Sequence, residues 1–339
     1  MLGGDEVKRQ ALSHPLGLRN TMATSEGILD RLLDRTIAPG FSRVGWELRS
    51  RGFAPLPDST GRQIVITGAS TGLGRSAARM LAEAGASVTM VSRSRERAAE
   101  AIAEVTQGAA GGTVDFVEAD MSDLASVREL AKDLNAVHPK LDALVLNAGV
   151  LLHERTITPD GIELAWATNV VGPFLLEQLL LPNLEAAHGR VVMVTSGGAY
   201  SEGLALPAVD LDGDSYDGPA VYARTKRAQI ALAELQSAEL AEVGVTVHAV
   251  HPGWADTPGV QQSLPTFRKF TRPFLRTADQ GADSIAWLAI ADDPVGSPGL
   301  LWHDRAPRPR NRIPGQRESA AERAELQQEL RRLSGLTSE

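Results

Sequence analysis

From Gln63 onward the chain repeats one pattern that few folds satisfy: a short apolar run, a segment of helical length, then another short apolar run. The apolar runs are "QIVIT" (63–67), "SVTMV" (87–91), "VDFVEA" (114–119), "LDALVLNAG" (141–149), "GRVVMVTS" (189–196) and "VTVHAVHPG" (245–253). Between them lie a stretch carrying Ala77, Ala78, Leu81 and Ala82 that Gly85 stops, and patterns that predict helices over 123–137, around 162–181 and around 219–243. Short β-rich runs separated by helical lengths are βαβ units, which build a parallel sheet. The right-handed crossover then winds helices onto both faces. The expected fold is α/β, a single doubly wound Rossmann domain over residues 62–302.

Two flanking regions complete the expected organisation. Residues 1–61 form an N-terminal extension: 1–21 show no periodicity and are expected to be disordered, and 25–55 are expected to be helical. Met22 precedes the first helical pattern and is a second candidate for the start of translation. "SEGILDRLLDRTI" (25–37) sets Ile28, Leu29, Leu32, Leu33 and Ile37 on one face behind Ser25 as N-cap. That stripe is expected to pack on the main domain, with peripheral membrane or partner contact the weaker alternative. "PLPDSTG" (55–61) is a linker. Residues 303–339 form a C-terminal tail, with "HDRAPRPRNRIPG" (303–315) as a loop and "SAAERAELQQELRRLSGL" (319–336) as a charged helix whose leucines dock on the domain.

Composition excludes several functions. The chain has 339 residues, 43% of them hydrophobic, enough for a substantial core. A net charge of −8 gives no electrostatic footprint for nucleic acid. With no cysteine there is no disulfide, no thiolate metal site and no cysteine nucleophile. No histidine–carboxylate cluster has metal-ligand spacing, so no metal is expected. His153 and Glu154 are expected to be solvated loop neighbours. No run of about 18 apolar residues appears, so no spanning helix is expected. The first residues lack the apolar core of a secretory signal, and the expected location is cytoplasmic.

"TGASTGLG" (67–74) sits where the first strand should meet the first helix. Gly68, Gly72 and Gly74 let backbone N–H groups approach a pyrophosphate at a helix N-terminus, where the helix dipole favours an anion. Ser70, Thr71 and Leu73 complete the candidate phosphate loop. At the end of the second run an NAD-preferring protein carries a carboxylate for the ribose 2′-hydroxyl; here Ser92 is followed by Arg93. A guanidinium binds a 2′-phosphate bidentately, with Arg75 expected to assist, so NADP(H) is preferred and NAD(H) is the second choice. On the same expected sheet edge lie Asp120, an acceptor for the adenine amino group, with Met121 beside it. Asn147, Ala148 and Gly149 make a small-residue turn there, and Ser196 follows the fifth run.

"AVYARTK" (220–226) places Tyr222 and Lys226 four residues apart, hence on one face of the expected helix. Reducing a carbonyl by hydride needs a proton for the developing alkoxide. Free tyrosine, with a pKa of about 10, titrates too high to cycle well near neutrality. A neighbouring ammonium is expected to lower it, and a serine hydroxyl to hold the substrate oxygen. Arg224 and Thr225 have no assigned role.

The ordered set "TGASTGLG", Asp120, "NAG" (147–149), "TNVVG" with Asn169, Ser196, "YARTK" and "HPGWADT" (251–257) resembles the short-chain dehydrogenase/reductase family over roughly 62–300. "SGGAY", "VYARTKRAQ", "HPGWADTPGV", "GADSIAWLA" and "HDRAP" narrow the resemblance to its retinol-dehydrogenase-like branch. The resemblance implies Tyr222 as acid/base, Lys226 on the nicotinamide ribose, Ser196 orienting the carbonyl, and Asn169 holding a water that links Lys226 to solvent. It further implies Pro252, Gly253 and Thr257 at the nicotinamide and its phosphate. One departure is Leu146, where many relatives carry a second asparagine.

Trp254 opens a segment to about 275 where substrate loops of this family lie, and is the substrate-pocket candidate. His251 is expected to be a structural hydrogen-bonder, and Trp166 a core residue. The expected function is therefore NADP(H)-dependent interconversion of a carbonyl and an alcohol on a small apolar substrate, with homo-oligomerisation left open. The alternative from another class is a non-catalytic NADP(H)-binding sensor or scaffold.

Overall fold

The computed structural model describes residues 30–34, 36–207, 216–312 and 316–336. The stretch 1–21, Met22, Ser25, Ile28 and Leu29 lie outside them, as does the side chain of Ile37. The first described residues, 30–34, are helical. Two short helices follow, α1 (Ile37–Phe41) and α2 (Arg43–Arg49).

The sheet domain then runs β1 (Gln63–Thr67), α3 (Gly72–Glu83), β2 (Ser87–Ser92), α4 (Arg95–Gly108), β3 (Val114–Glu118), α5 (Leu124–Val137) and β4 (Ala143–Leu146). It continues through α6 (Leu164–Ala187), β5 (Arg190–Val194), α7 (Gly218–Leu240) and β6 (Thr246–Val250). Helices α8 (Pro258–Ser263), α9 (Pro265–Thr271) and α10 (Ala278–Ile290) precede β7 (Leu301–His303), β8 (Ala306–Arg308) and α11 (Ala320–Leu333).

The strand order is β3-β2-β1-β4-β5-β6-β7-β8. Every pair is parallel except β7–β8. The chain winds outward from β1 in both directions, so the order reverses between β1 and β4. A crevice opens there beyond the carboxyl ends of the strands.

Period-two alternation explains why both faces are covered. Ile64, Ile66, Val88, Met90, Val145 and Val192 point to the side of α3, α4 and α10. Val65, Val91, Leu144, Leu146, Val191 and Val247 point to the side of α5, α6 and α7. Gly74, in the first turn of α3, has no room for a side chain: a Cβ there would stand 2.5 Å from Asn147 Nδ2. Asp123 caps α5 by accepting from Ala125 N and Ser126 N, as the pattern over 123–137 predicts.

Three findings differ from the sequence expectations. The stretch 303–315, expected as a loop, turns back through Asp304 and Arg305, both at φ 52, and adds β8 antiparallel to β7. Helix α6 runs past 181 to a left-handed cap at His188. It is also long and apolar enough to cross a membrane, but 78% of its most apolar window is buried inside the fold, where it covers the sheet. The final helix behaves as expected: Leu326 and Leu330 are fully buried, and Ser319 and Glu322 close a capping box.

Candidate active site

Four elements meet at the crevice, and each delivers one part of the expected set. Helix α7 carries Tyr222 and Lys226 with four-residue spacing, so both face the sheet. Lys226 Nζ stands 5.6 Å from the Tyr222 ring centroid and donates to the Val194 carbonyl at the end of β5 (2.9 Å). The stem of Lys226 is buried, its residue only 3% exposed. Ser196, two residues beyond β5, caps the turn Gly197–Tyr200 and accepts from Gly198 N at 3.2 Å. Gly198 lies between it and Tyr222: a Cβ there would stand 3.7 Å from Ser196 Oγ and 3.8 Å from Tyr222 Cε1.

Asn169 lies in a π-helical turn, Ala167–Val171, near the start of α6. Such a turn carries an extra residue and re-aims its side chains. Asn169 Oδ1 accepts from Val150 N (2.8 Å), and Nδ2 donates to Val150 O (3.0 Å) and to Thr225 Oγ1 (2.9 Å). Thr225 Oγ1 in turn donates to the Tyr222 carbonyl (2.7 Å). Thr225 therefore has the role that sequence reading left blank: it pins α7 to the Asn169 turn. Arg224 pairs with Glu202 at 3.3 Å.

The phosphate loop is shaped by close approach. A Cβ on Gly68, which sits at φ 68, would stand 2.8 Å from Ala148 Cα. Asn147 Nδ2 donates to the carbonyls of Thr67 (3.0 Å) and Gly68 (3.1 Å), and Thr67 Oγ1 accepts from Asn147 N and Ala148 N, both at 3.1 Å. Asn147 and Ala148 thus brace the loop between Thr67 and Gly74 rather than merely passing beside it. Gly149 borders the reaction centre: a Cβ there would lie 3.2 Å from Lys226 Nζ and 3.3 Å from Asn169 Oδ1.

Thr257 closes the loop from above. Its side chain lies 3.3 Å from the position of a Cβ on Gly72, and it caps α8. Ser70 and Thr71 lie in the turn before α3, Thr71 being exposed. Leu73 packs against Gly281 of α10. Gly253, at φ 80, donates to His251 Nδ1 (3.0 Å), and Pro252 O accepts from Arg276.

Along the same edge Asp120 is held by Ser122, whose N and Oγ donate to Oδ1 at 2.9 and 2.7 Å. Met121 is buried behind it. Arg93 is exposed just past β2, and no partner is recorded for it among the described residues. Arg75 does not join it. Its guanidinium is bound to Glu104 (2.7 Å from Nε) and Glu100 (3.0 Å), which withdraws it from a cofactor.

The electrostatics correct a second expectation. Burial pushes the Tyr222 phenol above its ordinary value, with Ser196 opposing, whereas the sequence predicted a lowered one. Burial also brings Lys226 down to about 7. An amine this close to neutrality supplies only part of a positive charge, so the desolvation of the phenol prevails.

Phe41, which the sequence did not single out, holds the Trp254 segment in place. Phe41 of α1 packs edge-on against His251 (centroids 4.2 Å) and Trp254 (6.1 Å) and stacks on Tyr200 (6.2 Å). Trp254 N donates to Phe41 O at 2.9 Å. Trp254 also meets Phe267 of α9 edge-on at 5.3 Å. His251 stacks on His303 at 4.4 Å, and burial holds it well below its usual pKa, as befits a structural ring. Trp166 is fully buried, and His153 and Glu154 are exposed, as expected.

These features can be compared with known proteins. The family profile described as short chain dehydrogenase matches residues 62–266. Dehydrogenase/reductase SDR family member 12 of Bos taurus is 34% identical over 274 residues, covering 79% of this chain and 86% of that protein. Retinol dehydrogenase 14 of Mus musculus is 34% identical over 261 residues, covering 72% and 78%. The crystal structure of an uncharacterized protein from Mycobacterium paratuberculosis superposes with a TM-score of 0.64 at 28% identity, over 83% of this chain and 96% of that one. A complex of Pseudomonas aeruginosa RhlG with NADP has the same fold, with a TM-score of 0.60 at 23% identity over 74% and 96%. Profile, relatives and fold agree that this chain belongs to the short-chain dehydrogenase/reductase family, as an oxidoreductase acting on CH–OH groups.

Proposed function

We propose that the chain interconverts a carbonyl and an alcohol on a small apolar substrate with NADP(H), using Tyr222 as the acid/base. The observation that carries this is the convergence of Tyr222 and Ser196 on Gly198 at the crevice, with Lys226 buried beneath on the same helix.

The loop fits a dinucleotide. Its glycines leave space where side chains would collide, and α3 begins immediately behind it, so free N–H groups and the helix dipole face the crevice. Gly68, Ser70, Thr71, Gly72, Leu73 and Gly74 would hold the pyrophosphate. Asp120, Met121, Asn147, Ala148 and Gly149 would border the adenosine half, and Tyr222, Lys226, Pro252, Gly253 and Thr257 the nicotinamide half. When bound, the cofactor supplies or takes the hydride.

This chain's own residues manage the proton. Ser196 and Tyr222 converge on one oxygen, Ser196 to hold it and Tyr222 to protonate it as it becomes an alkoxide. A phenol held above its ordinary pKa is in the acid form at neutral pH, the form that reduction needs. Alcohol oxidation needs the phenolate, so its rate should climb with pH further into the alkaline range than that of reduction. Asn169 and Thr225 fix the distance between α6 and α7, and hence the reach of Lys226.

Arg93 supports the choice of NADP(H), since it stands where a 2′-phosphate would come and has no recorded partner to release. An apolar substrate is supported by Trp254 and Phe267, which meet edge-on at 5.3 Å in the segment after β6, and by the pairing of Arg224 with Glu202 and of Arg268 with Asp256.

The test is NADPH oxidation across a panel of aliphatic and aromatic aldehydes and ketones. Turnover by the wild type, lost in Tyr222→Phe, supports the proposal. Tight NADPH binding without turnover of any member supports a sensor instead. Arg93→Glu should weaken NADPH binding about 10- to 100-fold and leave NADH nearly unchanged. Equal losses for both would remove the case for cofactor choice.

A further inference from the structure

The inward stripe of α7 does not become apolar after Lys226. It continues with Gln229 and Gln236, both buried, at 2% and 1% exposure. Facing them from α6 is Glu177, fully buried, with no hydrogen bond of sound geometry to either carboxylate oxygen. Gln236 reaches toward it without closing one. Buried polar groups without partners are rare and costly, and they fall at random unless something uses them. Here they lie on the facing stripes of α6 and α7, beginning about one turn beyond Lys226.

A cavity adjoins these groups. It measures about 10 Å³, room for about one water, and its polar lining is Asn169, Glu177 and Gln229. Leu146, Phe174 and Met193 are among its apolar walls. Gln229 Nε2 donates to the Asn169 carbonyl at 2.8 Å, and its Oε1 has no partner among the described residues. The resemblance assigns Asn169 a water leading to solvent, but this carbonyl already accepts from Gln229, which itself lines the cavity. Lys226 Nζ and Asn169 Oδ1 face the same point beside Gly149. At the far end the charge acting on Glu177 is that of Glu239, exposed on α7. The cavity lining from β4 and β5 is Leu146 and Met193, neither of them titratable.

We propose that Glu177 is a proton-relay residue, connecting Tyr222 and Lys226 through Asn169, Gln229 and a cavity water to solvent on the Glu239 side of α7. The inference rests on Tyr222 acting as acid. In reduction Tyr222 gives its proton to the alkoxide, and the Lys226 ammonium returns one to the phenolate. The neutral amine takes a proton from a water beside Gly149 and Asn169, which regains one from the cavity water. The Glu177 carboxyl gives its proton to that water, becomes a carboxylate, and recovers a proton from solvent. No oxidant or further reactant is required, and the net proton comes from bulk water. Burial holds Glu177 up at about 8, so it carries the proton it must give at neutral pH.

Glu177→Gln keeps shape and removes titration. With NADPH and decanal, kcat at pH 7 should fall about tenfold, and the solvent deuterium isotope effect on kcat should rise, as relay becomes limiting. The KM for decanal and the Kd for NADPH should stay unchanged. Gln229→Leu should repeat this pattern. A purely structural role predicts a lower melting temperature with the pH profile and solvent isotope effect of the wild type, and that result overturns the proposal. Infrared spectroscopy of the unliganded protein provides an arm that needs no turnover. A protonated-carboxyl band at pH 7, lost in Glu177→Gln, supports the relay; absence of that band from the wild type overturns it. Full activity in Tyr222→Phe would sink the underlying reading instead, and so is distinguishable from failure of the relay.

Discussion

At the residue scale, Tyr222 and Lys226 were legible because helical spacing fixes which residues share a face, whatever the fold around them. Their titration was not legible, because it depends on burial. Tyr222 is raised and Lys226 lowered to about 7, both by desolvation. Thr225 was missed for a related reason: its hydroxyl gains meaning only from Asn169, 56 positions away. Thr225→Val should keep the volume and lose both hydrogen bonds. We expect kcat to drop about 5- to 20-fold, with a stability loss of about 1–2 kcal/mol by urea denaturation. Arg75 shows the opposite error. Its place beside the phosphate loop suggested a cofactor role, but two glutamates on α4 occupy it.

At the element scale, the alternation of apolar runs predicted the strands well, since a strand buried on both faces leaves an apolar run of its own length. The last strand escaped this reading. Ala306–Arg308 is a half-buried edge strand of three residues, and proline and arginine there argue for a loop. Its pairing is instead imposed by the Asp304–Arg305 turn. The N-terminal helices were predicted, but not their anchorage. Arg276 is fully buried and donates to Gly40 O (3.1 Å), to Phe41 O (3.0 Å) and to Asp304 Oδ2 (2.9 Å), while Arg49 binds the same carboxylate (2.8 Å) and Asp30 (2.7 Å). No local pattern encodes a cluster joined across more than 230 residues of chain. Asp304→Asn would leave two buried guanidinium groups short of charge, so we expect a stability loss of about 3–5 kcal/mol. Because Phe41 supports Trp254, KM for the substrate should rise with it, while NADPH affinity holds. Urea denaturation and steady-state kinetics on one preparation check both.

At the scale of the whole molecule, the sheet supplies one wet edge and a dry interior, and the titrating groups trapped inside set its pH response. Burial lowers His248 and His303 to about 4, chiefly by desolvation. Below about 6.5 the unfolded chain binds protons that these folded rings refuse, so their contribution is lost as pH falls from 6.5 toward 4. Glu177 has the opposite sign. Raised to about 8, it binds a proton that the unfolded chain releases, so it favours the fold at low pH and that benefit fades from about 4.5 to 8. With His251, also held well below its ordinary value, these histidines outweigh one glutamate, and the melting temperature should fall between pH 6.5 and 4. Glu177→Gln should steepen that fall between 6.5 and 4.5 and flatten the change between 7 and 8. None of this was visible in composition, which records seven histidines but not which are buried.

The central claim is that Tyr222 moves the proton. Single-turnover reduction of the best carbonyl in the panel by NADPH, with wild type and Tyr222→Phe side by side, tests it most directly, paired with NADPH titration of both. We expect a rate lower by about 10²- to 10⁴-fold in Tyr222→Phe with an unchanged Kd for NADPH. A variant that binds NADPH as the wild type does and reduces the carbonyl at the wild-type rate would contradict it.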